Sequence, residues 1–147
     1  MKQPFNPDIE ILHYCEHIVN AHIQVLRCNK KTKTWYWDYP AMAAICYDIS
    51  RIKKASSFSR CPNDDDYQTV VERKNKLLEL GEIGKHTIKT GSSNIVGNCA
   101  EQHAADLFMK RNRSYQLQNL YFSNALRPRT KQAFEPCANC KYVFPNL

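Results

Sequence analysis

Apolar residues recur at three- and four-residue steps from Pro7 to about Arg27, through Ile9, Leu12, Cys15, Ile18, Val19, Ile23 and Leu26. That is the period of an amphipathic helix, and Asn6 with Pro7 supplies its opening. The pattern breaks at the basic turn CNKKTK. TWYWDY beyond it, rich in aromatic residues, predicts a short strand. A second helical period runs from Ala41 to about Lys54, through Met42, Ile45, Cys46, Ile49 and Ile52. Arg51, Lys53 and Lys54 close it, where cations favour a helix C-terminus. The polar stretch SSFSRCPNDDD is loop, and Asp66 is placed to cap a third helix from Tyr67 to Leu80, which Gly81 stops.

From Glu82 to Gly97 the chain reads as loop, with KHTIKT offering a brief strand. Asn98 is placed to cap a helix that begins CAEQ and runs to about Asn112. LQNLYFSNAL predicts a buried strand, RPRTKQAFEP a loop, and CANCKYVF a last short helix. The expected fold is α/β, with helices packed around a small central mixed sheet and a helix-rich N-terminal half. It forms a single domain over 1–147. Residues 1–90 make a helical part with one or two short strands, and 91–147 carry the chemistry.

Composition adds four constraints. Apolar residues at 43% and charged residues at 24% are those of a folding globular chain. No apolar run approaches membrane-span length and the start MKQPFNPDIE lacks an apolar leader, so the chain reads as soluble, without a standard export signal. A formal charge of +7 favours polyanionic partners, nucleic acid first. The seven cysteines (15, 28, 46, 61, 99, 137 and 140) are an odd set without a disulfide framework, which points to metal or thiol chemistry in a reducing compartment.

Three of these thiols stand out. Cys137 and Cys140, three apart at a helix start, can grip one ion while Cys99, at another helix start, closes a triangle. Helix N-termini favour the thiolate form that binds metal. A catalytic zinc site keeps three protein ligands and leaves the fourth position to water, whereas a structural one takes four. The other readings are a structural site completed by a residue such as His103, or simply buried cysteines. Glu101, two residues beyond Cys99, is placed to act as general acid and base. Cys15, Cys28, Cys46 and Cys61 are dispersed and read as buried or idle thiols. The acidic run at 64–66 reads as capping and solvation rather than a metal site.

NCAE (98–101) followed by EPCANC (135–140) resembles the paired signatures H/C-x-E and P-C-x-x-C of the cytidine deaminase-like superfamily. The resemblance runs from Asn94 to Cys140, about a third of the chain. It implies one catalytic Zn²⁺ on Cys99, Cys137 and Cys140, with Glu101 shuttling protons during hydrolytic deamination at C4 of cytosine or C6 of adenine. Cys in the first ligand place, and the wording GNCAE, are similar to deaminase domains of bacterial polymorphic toxins. That likeness implies cytosine in DNA or RNA as substrate, a cognate immunity protein as partner, and action in the cytoplasm, including that of a target cell. It also implies substrate contacts at Asn94 and at the backbone amides of Ala100 and Ala138. Phe122 or Tyr121 can face the pocket from their strand. Arg127, Arg129 and Lys131, with Phe134 in the same loop, are the expected phosphate and substrate contacts. Trp35, Tyr36 and Trp37 beside KKTK make either a stacking platform or a strand packed on the core. The competing functions are deamination of free cytidine, nucleotide or adenine, a non-catalytic zinc module that binds nucleic acid, and an effector that acts by protein interaction alone.

Overall fold

Helix α1 (Pro7–Asn20) opens as its sequence requires, with the Asn6 side chain accepting the Asp8 amide at 2.9 Å and Pro7 in the first turn. The computed structural model describes residues 3–29, 31–87 and 89–147. α1 ends well before Arg27, because Ala21 caps it and His22 turns to a φ of 51°. The residues that continued its apolar pattern instead form strand β1 (Val25–Cys28), paired antiparallel with β2 (Trp35–Asp38) in a separate two-stranded sheet.

The second expected helix is a hairpin. Ala43–Tyr47 forms β3 and Lys54–Phe58 forms β4, antiparallel to it. AAICY is a continuous apolar run, buried on both sides, which periodicity alone cannot tell from helix. Asp48 decides the matter. Its carboxylate accepts from the Ser50 hydroxyl at 2.7 Å, the Ile52 and Lys53 amides at 3.3 Å and the Tyr115 hydroxyl at 3.1 Å, folding the chain back on itself. Ile49 is left 78% exposed at the tip. Asp48→Ala is expected to lower unfolding free energy by about 2 kcal/mol in urea titrations, since two backbone amides and two hydroxyls lose their acceptor.

Beyond β4, Asp66 caps no helix. Arg60 and the Asn63 amide take its carboxylate, Tyr67 adopts a φ of 63°, and α2 starts only at Val71, running to Leu80. The brief strand expected at 85–90 reduces to a bridge between His86 and Ile95, and Ile88 lies outside the described residues. α3 (Ala100–Arg111) and α4 (Ala138–Val143) lie where the sequence puts them, except that Cys99 rather than Asn98 takes the cap position of α3. The expected strand 117–126 divides into a 3-10 turn, β5 (Tyr121–Phe122) and β6 (Ala125–Leu126). Both strands pair with β3. The register slips by one residue between Cys46–Phe122 and Ala43–Leu126, a bulge at Ser123, whose amide and hydroxyl bind Ile45. The loop at 127–136 includes β7 (Ala133–Phe134), which pairs with β6.

The fold is mixed α/β with a small five-stranded sheet, but two expectations fail. Four strands lie among residues 1–90 against two helices, so that half is not helix-rich. Every strand pair among the described residues is antiparallel, so the sheet is not mixed; tight turns join β3 to β4 and β6 to β7, leaving no parallel crossover there. Alternation along β3 explains the layers. Ala43 and Ile45 meet Ile11, Cys15 and Ile18 of α1, while Ala44 and Cys46 face Ala100 and the α3 core. Each fully buried isoleucine contributes roughly 2 kcal/mol. α2 and α4 share the core with α3 through Leu77, Leu80, Val143 and Phe144. A buried Arg73–Asp106 ion pair, to which Lys110 adds a contact of 2.8 Å, ties α2 to α3. Among the described residues no helix is long and apolar enough to cross a membrane.

Candidate metal centre

α3 and α4 present their N-termini to one another, with Cys99 at the cap of the first and Cys137 at the cap of the second. The Sγ atoms of Cys99, Cys137 and Cys140 all lie within 4.8 Å of one another. Cys99 is 3.1 Å from Cys137, and Cys137 is 3.7 Å from Cys140. Three such sulfurs can hold a metal ion. Cys140 is fully buried, and the other two are half-buried.

Hydrogen bonding among the sulfurs, with Cys140 and then Cys99, concentrates negative charge on Cys137 and draws its thiol down to about 2; burial opposes this, and Asn94 assists. The same bonds push Cys99 and Cys140 up. Sulfurs this close share charge, which a bound cation would stabilise. Burial pushes the Glu101 carboxyl up to about 7; its own amide draws it back, and the Cys137 charge adds to the rise. Glu101 is 5% exposed and forms no ion pair among the described residues. Its negative charge in turn raises Cys99 and Cys140, and it stands in the first turn of α3, two residues beyond Cys99.

Several supporting residues carry no signature in the sequence. The Gln102 amide donates to Cys140 Sγ at 3.6 Å. Asn139, inside the CxxC, is 1% exposed; it donates to the Asn94 carbonyl at 3.2 Å and accepts from the Thr90 hydroxyl, holding the 90–94 loop against α4. Gly97, with a φ of 86°, brings the chain into α3 under Tyr67, whose hydroxyl donates to the Gly97 carbonyl at 2.7 Å. A Cβ on Gly97 would meet the Tyr67 ring at 3.0 Å.

His103 stands outside the cluster. Its Nε2 lies 2.9 Å from the Arg60 carbonyl and its ring packs on Tyr67. Burial, then the neighbouring Arg60 charge, lowers it to about 4. Asp66 is also lowered: burial opposes ionisation, but hydrogen bonds from Arg60 and the Asn63 amide outweigh it. The unfolded chain protonates His103 near pH 6.5. The folded chain resists until about 4, so stability complete above 6.5 is lost as pH falls across that window, by up to about 3 kcal/mol. Asp66 adds a further loss below the ordinary carboxylate range. Glu101, held up to about 7, acts in the opposite sense, gaining stability as pH falls from 7 towards the ordinary carboxylate range. The His103 slope is therefore expected in the difference between the urea midpoints of wild type and His103→Gln from pH 7.5 to 4, the wild-type advantage shrinking as pH falls.

The remaining candidates are dispersed. Asn94 is tied to α4 through its carbonyl, which accepts from Asn139, Ala100 is buried against Ala44, and Ala138 is half-buried. Phe122 packs on Phe144, and Tyr121 stacks on Tyr47. Arg127 lies over the Phe134 ring at 4.5 Å, both exposed on the β6–β7 hairpin, while Arg129 and Lys131 pair with Asp38 and Glu16. Cys15 and Cys46 are core residues; Cys28 and Cys61 are half-buried, and none of the seven cysteines is in a disulfide. A cavity of about 420 Å³ abuts the cluster at Asn94 and Asn98, without the sulfurs or Glu101 in its walls; Arg27, Lys33, Trp35 and Arg60 also line it. No family model matches the chain, and no curated protein or solved structure matches it.

Proposed function

We propose that this chain is a zinc-dependent hydrolytic deaminase that converts cytosine to uracil, in nucleic acid ahead of free nucleoside. The observation that carries the reading is the meeting of three cysteine sulfurs at two helix N-termini, with a buried Glu101, free of ion pairs among the described residues, in the first turn of α3. A structural site calls for a fourth ligand, and His103, the candidate for it, is committed to the Arg60 carbonyl.

The donor set fits zinc. A tetrahedral ion about 2.3 Å from each thiolate sets the sulfurs about 3.8 Å apart. Cys137 and Cys140 already stand at 3.7 Å, and Cys99 needs to swing outward by several tenths of an ångström from its 3.1 Å contact. Cys99, Cys137 and Cys140 would hold the ion, with the Gln102 amide fixing Cys140. Zinc, when bound, supplies the Lewis acidity that makes water a competent nucleophile at neutral pH.

Glu101 does the proton work. Its carboxylate takes a proton from the attacking water and delivers it to the ring nitrogen next to C4. It then carries the second proton to the departing amino group, so that water and cytosine become uracil and ammonia. Burial keeps its affinity for protons close to neutrality, as a group that must both accept and donate requires. The adjoining cavity, at about 420 Å³, is within the size range of small-ligand sites. The basic balance of +7 supports a polyanionic substrate, and equally an acidic inhibitory partner of the immunity-protein kind.

Reaction in ¹⁸O-labelled water with a cytosine oligonucleotide tests the chemistry. The uracil formed is expected to carry the label at C4, with one ammonia per uracil. Unlabelled uracil, or ammonia without uracil, removes the hydrolytic mechanism; conversion of adenine alone moves the reading to the C6 reaction.

A further inference from the structure

The β1–β2 hairpin stands apart from the five-stranded sheet, and one of its faces is uncovered. The register sets Leu26 opposite Trp37 and Cys28 opposite Trp35, and directly opposed residues share a face. On that face Trp35 is 53% exposed, Trp37 66% and Leu26 42%. Tyr36, on the reverse face, is less exposed at 39%, with the Arg27 guanidinium 5.8 Å from its ring centre. Two neighbouring indoles left in water on strands of four residues are not core packing. A contiguous exposed aromatic patch marks a binding surface.

The charges around the patch state what it binds. Asn29 orders the hairpin turn by accepting the Lys31 and Thr32 amides at 2.9 and 3.2 Å, and Lys31 and Lys33 stand exposed there. Arg27 is committed to Asp38, whereas neither Lys31 nor Lys33 has a carboxylate partner among the described residues. Lys33 and Trp35 also line the cavity that Asn94 and Asn98 close on the side of the cysteine cluster. A chain of net charge +7 selects a polyanion, and exposed indoles select one with open aromatic faces, which a base-paired duplex conceals.

We propose that the β1–β2 hairpin binds an unpaired nucleic-acid strand, with Trp35 and Trp37 stacking on its bases and Lys31 and Lys33 neutralising its phosphates. The bound strand continues across the cavity towards Cys99 and Cys137. The surface stands on its own geometry; only its service in delivering a base rests on the deaminase reading.

Fluorescence anisotropy with single-stranded DNA of about 12 nucleotides, the matched RNA and the matched duplex tests this. Wild type is expected to bind the single strands more tightly than the duplex. Trp35→Ala with Trp37→Ala is expected to weaken that binding about tenfold or more, with unchanged metal content and thermal midpoint. Trp35→Phe with Trp37→Phe retains most of the affinity, and Lys31→Ala with Lys33→Ala flattens its salt dependence. Absence of binding, equal affinity for duplex, or an alanine double variant that binds like wild type overturns the proposal, including in favour of a protein-docking role for the patch. Anisotropy reads binding alone. Strand binding without base conversion therefore sinks the catalytic reading and leaves the hairpin, and conversion with an unaffected alanine variant does the reverse.

Discussion

Glu101→Gln is expected to leave the protein folded and fully metal-loaded while cutting base conversion by about three orders of magnitude, within the span usual for a general acid and base. The substitution keeps the volume and polarity of a side chain that is 5% exposed, so packing around Ala100 and Ala104 has no reason to change. What it removes is the capacity to bind and release a proton at that place. The carboxyl forms no ion pair among the described residues, so no partner is orphaned by its loss. A structural role would show as a lowered melting temperature with proportionate loss of activity. The expected pattern is a fall in kcat with an unchanged melting temperature and one metal per chain.

Cys137→Ala is expected to abolish metal binding and to lower stability by on the order of 5 kcal/mol relative to the metal-loaded protein. Cys137 is the sulfur on which the cluster's negative charge collects, and it links Cys99 to Cys140. Without it two thiols remain, attached to two different helices. The metal binding that joins the N-terminus of α3 to that of α4 then no longer contributes to folding. Chelator-treated wild type should unfold at nearly the same denaturant midpoint as Cys137→Ala, which separates loss of the metal from loss of the side chain. A variant that keeps a stoichiometric metal would withdraw Cys137 from the ligand set.

The cysteine cluster was legible in the sequence because helix starts and CxxC spacing are local signals. Cys99 and Cys137 both cap helices whose first turns the sequence marks, and it takes only their convergence to build the site. The sheet was far less legible. In AAICY both faces of β3 are buried, so its apolar residues fall on a helical period as readily as on a strand, and Ile49 and Ile52 carry that period through the Asp48 turn that reverses the chain. The end of α1 was missed because Val25 and Leu26 extend its period past a break made by the backbone of His22. Nothing local announces the pairing of Arg73 with Asp106, or the reach of Gln102 to Cys140, since both join elements that only the tertiary fold brings together. At Trp35, Tyr36 and Trp37 the sequence left packing and stacking open; the exposure of both tryptophans excludes the core.

The most direct test is incubation of purified protein, with its zinc content measured in the same sample, with single-stranded DNA, duplex DNA, RNA, cytidine and adenosine, following ammonia and base identity together. One zinc per chain, with uracil and ammonia formed in equal amounts from a cytosine substrate and neither formed by Glu101→Gln, is the predicted result. Stoichiometric zinc with every substrate unchanged would contradict it.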